Sequence, residues 1–105
     1  MRVVAGELRG RKIFAPDGTT TRPTTDMARE AIFNALTSLD VIVDSHVLDL
    51  FAGSGALGIE ALSRGAKHCT FIERDRDALA SLQDNIKKLG LTDRTTVIRG
   101  DVLLA

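Results

Sequence analysis

From His46 to Arg99 the chain passes through an apolar segment, a glycine-rich turn and an amphipathic segment, then alternates again. No other feature restricts the fold as much. His46–Phe51 (HVLDLF) is nearly continuous in apolar residues, the pattern of a strand covered on both faces of a parallel sheet. The turn Gly53–Gly58 follows, and Ala56–Arg64 (ALGIEALSR) reads as a helix stopped by Gly65. Cys69–Glu73 (CTFIE) is a second strand. Asp75 caps a helix running to Leu89, with Ala78, Leu79, Leu82, Ile86 and Leu89 as its inward stripe and Gly90 as its stop. Thr95–Arg99 (TTVIR) is a third strand.

Strands alternating with helices imply a parallel sheet joined by right-handed crossovers, an α/β, Rossmann-like fold. Three such strands make half of a doubly wound sheet, whose first strand normally has neighbours on both sides. Nothing in the sequence supplies the second neighbour, so an apolar sheet edge is expected to be exposed. The chain therefore reads as the N-terminal portion of a larger protein. Alternatively, it completes its sheet by self-association through that edge.

Upstream, Thr24 or Thr25 can cap a helix whose first turn takes Asp26, with Ala28, Ala31, Ile32, Ala35, Leu36 and Leu39 at helical spacing as its inward stripe. Arg29 and Glu30 are expected on its exposed face. Pro16–Pro23 is turn-rich loop, and the segments 2–5 and 11–15 are short strand candidates about a turn with Gly6 and Gly10. The expected division is a basic hairpin arm with its loop at 1–23 and the N-terminal part of a Rossmann-like domain at 24–105.

Charge supports that division. The 105 residues balance 14 basic against 14 acidic side chains, yet Arg2, Arg9, Arg11 and Lys12 face only Glu7 in the first twelve positions. A basic arm of +3 on a body of −3 suits a polyanion such as RNA, though solvated hairpin charges would look the same. No apolar run reaches about 18 residues and no secretory leader is evident, so a cytoplasmic protein with no membrane span is expected. One cysteine, Cys69, makes no internal disulfide and reads as a core thiol. With only two histidines beside it, no metal site is expected.

Gly53, Gly55 and Gly58 form a G-x-G-x-x-G that follows a strand and opens a helix, the context that gives this pattern meaning. The helix N-terminus offers free N–H groups to an anion. Glu73 ends the second strand 20 residues after Gly53, where a carboxylate can accept ribose hydroxyls, and Asp101 follows the third strand at the same rim. These acids outline a nucleoside site. Asp49, just before the turn, bears on which nucleoside. Beside a dinucleotide's pyrophosphate, two like charges about 5 Å apart cost roughly 1–3 kcal/mol. S-adenosylmethionine brings an ammonium and a sulfonium instead, and so fits the same carboxylate better than NAD does. An NAD-binding oxidoreductase and a non-catalytic RNA-binding remnant are the other readings.

The segments VLDLFAGSGALGIEALSRGA (47–66), TRPTTDMAREAIFNAL (21–36) and RVVAGELRGRKIFAP (2–16) closely resemble the bacterial 16S ribosomal RNA guanine-N2 methyltransferases, nearly from end to end. The resemblance implies a class I methyltransferase fold with S-adenosylmethionine as cofactor and 16S ribosomal RNA or the small-subunit particle as partner. It implies that Asp49, Gly53 and Gly55 hold the methionyl part, Glu73 the ribose and Asp101 the adenine amine, with Phe51 and Ala52 also binding the cofactor. Arg22 and Thr24 would close over the cofactor, and Arg2, Arg9, Arg11 and Lys12 would face RNA. That family also carries an Asp- or Asn-Pro-Pro-Tyr motif on a fourth strand. Pro16 and Pro23 are the only prolines here and belong to no such motif, so no catalytic residue is expected within these residues.

Overall fold

A computed structural model describes residues 1–16, 26–50 and 52–100. In chain order the elements are helix α1 (Asp26–Ser38), strand β1 (His46–Asp49), helix α2 (Ala56–Ser63), strand β2 (His68–Glu73), helix α3 (Arg76–Lys88), a single 3-10 turn (Thr92–Arg94) and strand β3 (Thr95–Arg99).

The strands form one parallel sheet in the order β1-β2-β3. His46 pairs with His68 and Asp49 with Phe71, while Cys69 pairs with Thr95 and Glu73 with Arg99. All C-terminal strand ends therefore lie on one rim, where open α/β sheets place their ligands. Cys69 and Phe71 on β2, Ile59 and Leu62 on α2, and Leu82 on α3 are fully buried together and fasten α2 and α3 to the sheet. β1 is an edge strand among the described residues, and Leu48 is 58% exposed there, as the half-sheet reading expects.

Local chemistry accounts for the helix ends. Asp75 Oδ2 accepts the Ala78 N–H at 2.8 Å, which caps α3, and Lys87 and Lys88 complement the negative end of its dipole. Gly55, at φ +93°, caps α2 in the left-handed region that glycine reaches without strain.

Two expectations need correction. The inward face of α1 is Arg29, Phe33 and part of Leu36, whereas Ala28, Ala31, Ile32, Ala35 and Leu39 are exposed. Arg29, expected outside, is fully buried, because its guanidinium finds buried Glu60, the Arg2 carbonyl and Asp26 as acceptors there. The arm also differs from two regular strands. It closes on a single antiparallel bridge, Arg2 to Lys12, reinforced by Val3 N–H to Arg11 C=O at 2.9 Å and Ile13 N–H to Met1 C=O at 2.9 Å. Val3 and Ile13 enter the same apolar core as the sheet.

Candidate functional site

The rim of the sheet carries the glycine turn between β1 and α2, and its three glycines do different work. At Gly53 (φ +56°) the space a side chain would take is open, so the backbone there is approachable. At Gly58 an added Cβ would stand 2.3 Å from Phe71 Cε1 and 2.7 Å from Cys69 Sγ, so only glycine lets α2 lie this close to β2.

Two carboxylates flank the turn. Glu73 Oε1 accepts the Gly53 N–H at 2.7 Å, and its Oε2 accepts the Arg74 and Asp75 N–H groups at 2.9 and 2.8 Å. One side chain thus ties the end of β2 to the turn after β1. These bonds use three of the roughly four lone-pair sites a carboxylate offers. Asp49 is buried at the end of β1, and its Oδ2 accepts the Gly58 N–H at 3.2 Å. Burial pushes its carboxyl above the usual range, the Gly58 bond pulls the other way, and the charge of Glu73 adds a further upward push.

Of the residues singled out in the sequence, Asp49, Ala52, Gly53, Gly55 and Glu73 lie together at this rim. Arg22, Thr24, Phe51 and Asp101 lie outside the described residues. Arg2, Arg9, Arg11 and Lys12 are all exposed. Cys69 is a core thiol, pushed up to about 12 chiefly by burial. Among the described residues, no three of His, Cys, Asp and Glu cluster as a metal site would require. Nor is any helix there long and apolar enough to cross a membrane. Outside β1, an apolar cavity of ≈ 210 Å³ runs between Phe33, Ile42, Val47 and Leu57, with Asp49 its only ionisable wall among the described residues.

A second polar assembly escapes the sequence reading. Glu60 of α2, fully buried, accepts Val4 N–H at 2.9 Å, Ala5 N–H at 3.1 Å, Arg29 Nε at 3.2 Å and Arg64 Nε at 2.8 Å. Arg29 continues to Asp26 at 2.7 Å and to the Arg2 carbonyl. Its hydrogen bond and charge hold the Asp26 carboxyl below the usual range. The arm, α1 and α2 thus meet on one buried carboxylate. A glutamate amid the apolar residues of ALGIEALS was the available signal, since such a charge stays buried only when paired.

The family model described as Conserved hypothetical protein 95 matches residues 1–105. The chain belongs to this family. YlbH of Bacillus subtilis is 50% identical over 96% of the chain, and ribosomal RNA small subunit methyltransferase D of Escherichia coli is 52% identical over 85% of it. The matched parts are 54% and 44% of those proteins, so the chain spans about half the length of these relatives. The solved structure of Escherichia coli yhhF superposes with a TM-score of 0.87 at 42% identity, over 99% of this chain and 54% of that one. An RNA methyltransferase from Salinibacter ruber, solved with S-adenosyl-L-homocysteine, shares the fold at a TM-score of 0.68 and 24% identity, over 80% of this chain and 53% of that one. The fold is the Rossmann-like fold of class I methyltransferases.

Proposed function

We propose that this chain is the cofactor-holding part of an S-adenosylmethionine-dependent enzyme that methylates a guanine N2 amine in 16S ribosomal RNA. The observation that carries the reading is the Glu73–Gly53 bond at 2.7 Å, beside buried Asp49, on the C-terminal rim of a parallel sheet. The donor set suits the ligand. Asp49 and Glu73 present negative charge to a cationic sulfonium and ammonium, and Glu73 retains acceptor capacity for a ribose hydroxyl. The N-terminus of α2 suits the methionyl carboxylate. S-adenosylmethionine would supply an electrophilic methyl carbon. These residues would orient it, with Arg22, Thr24, Phe51 and Asp101 completing the site.

The basic arm of residues 1–23, leading into the cofactor domain of 24–105, would hold phosphates of the RNA or of the small-subunit particle. An exocyclic amine conjugated to its purine is a weak nucleophile, so positioning must provide most of the rate. The relatives, about twice as long, have room for the groups that do this. The same reading makes the protein cytoplasmic, and it leaves the exposed β1 edge for the rest of the sheet or for a second copy.

Titration calorimetry with S-adenosylmethionine, and with NAD as matched control, tests the reading. Saturable binding of the first alone is expected, weakened about tenfold or more in Glu73→Ala, since a hydrogen bond to a charged group contributes about 1.5–3 kcal/mol. Binding of NAD would replace this reading with a redox one. RNA affinity without cofactor affinity would make the chain an RNA-binding module.

A further inference from the structure

The arm presents one aromatic ring to solvent. Extended backbone turns Ile13 inward and Phe14 outward, leaving Phe14 48% exposed while Ile13 is buried. Its backbone is nonetheless firmly held. Phe14 N–H donates to Asn85 Oδ1 at 3.0 Å, and Asn85 Nδ2 donates to the Phe14 carbonyl at 2.8 Å and to the Ser54 carbonyl at 3.0 Å. Asn85, on α3, is buried. A single amide therefore joins the backbone beneath the exposed ring to the glycine turn of the cofactor site.

The surroundings of the ring are cationic. The Lys88 ammonium lies 4.8 Å from the ring centroid, and Arg11 Nη2 donates to the Lys88 carbonyl at 3.1 Å. Lys12 and Lys87 are exposed nearby in sequence. Asp84 pairs with Lys88 at 2.9 Å, but both side chains are more than half exposed and the pair is readily exchanged. An exposed, backbone-anchored ring under a cation is poorly suited to a purely apolar partner. It matches a ligand that alternates π faces with negative charges, which is single-stranded nucleic acid.

We propose that Phe14 is a stacking platform for one unpaired base of the RNA substrate, with Lys88 and Arg11 holding the flanking phosphates. This rests on the reading of the protein as an RNA methyltransferase and assigns it a second RNA contact beside the cofactor turn. An unpaired nucleotide held there would be tethered to the element that holds the methyl donor, the arrangement needed to present a nearby base.

The chain has no tryptophan, so Phe14→Trp introduces a single indole reporter. The probes are a ten-nucleotide oligouridylate and an abasic strand of the same length, with thermal melts of every variant as a control on folding. Expected are saturable quenching of the indole emission in Phe14→Trp by oligouridylate but not by the abasic strand, and in Phe14→Ala a loss of about fivefold or more in oligouridylate affinity. Abasic affinity and the melting midpoint should stay at wild-type values. Equal affinity of wild type and Phe14→Ala for oligouridylate, or an unquenched indole at saturation, would overturn the proposal while leaving the RNA reading standing. A lowered midpoint with equal losses for both strands would also overturn it, making Phe14 a contact within the fold. Failure of the wild type to bind either strand would remove the RNA reading and this proposal together.

Discussion

Replacing Glu60 by glutamine tests whether the buried carboxylate organises the arm. Glutamine has nearly the same shape, so no cavity is created and only the electrostatics change. Each carboxylate oxygen of Glu60 takes one arm N–H and one guanidinium: Oε1 takes Val4 and Arg29, and Oε2 takes Ala5 and Arg64. An amide keeps one acceptor oxygen and turns an NH2 group toward two donors. One arm N–H and one guanidinium then face a donor inside the protein, and the fully buried Arg29 loses its buried counter-charge. Breaking a buried ion pair by removing one partner costs about 3–5 kcal/mol. A domain of this size has about 5–15 kcal/mol in all, so the melting midpoint should fall by roughly 15–30 °C. Urea unfolding followed by helical circular dichroism gives the difference directly. Asp84→Asn, which opens the exposed Lys88 pair, serves as control and should cost at most about 1 kcal/mol. A loss below about 1 kcal/mol in Glu60→Gln would refute the reasoning, because the hub would then be dispensable.

The remaining expectations concern the site and its packing. Asp49→Asn should stabilise the fold at neutral pH while weakening S-adenosylmethionine binding, as calorimetry and urea unfolding would show together. Because burial raises the Asp49 carboxyl, the folded state holds a proton the unfolded chain has already released. Asp49's contribution to stability therefore falls as pH rises from the unfolded carboxylate value through the raised folded one, and unfolding curves across acidic pH should lose that part of their slope in the variant. Gly58→Ala drives a Cβ into Phe71 and Cys69 and should cost about 1–3 kcal/mol or more, with far-ultraviolet dichroism retained. Cys69, buried and held protonated, should resist iodoacetamide at pH 8 in the native chain and react once urea unfolds it.

The sheet was legible because its signal is local. Alternating apolar segments and glycine stops fixed β2, α3 and β3 to within a residue or two, and only β1 proved shorter than HVLDLF suggested, ending at Asp49. The orientation of α1 was not legible, because its apolar residues mark two possible faces. Ala28, Ile32 and Leu39 repeat as well as Phe33 and Leu36 do, and the choice between them falls to Arg29. That side chain turns inward only because Glu60, 31 residues later, and the Arg2 carbonyl await it. A pattern taken from one helix cannot contain its partner on another. Asn85 was hidden similarly: within the stripe of α3 it looks like an interruption, and its partners Phe14 and Ser54 lie 71 and 31 residues away.

Asp49 has a structural task beside the ligand role proposed for it. Its Oδ2 supports Gly58, the position where α2 presses closest to β2, while its charge remains buried beside Glu73. Backbone support and a costly burial therefore reside in one side chain. α2 extends the same logic along its length: its N-terminal turn forms the rim, Glu60 holds Val4 and Ala5, and the Ser63 hydroxyl accepts the Leu8 N–H at 3.0 Å and donates to the Ala5 carbonyl at 2.7 Å. A helix of eight residues is about 12 Å long, a single rigid strut. The arm and the glycine turn are thus held along one strut, and Asn85 joins them a second time through Phe14 and Ser54, so packing between elements far apart in sequence positions the arm beside the site.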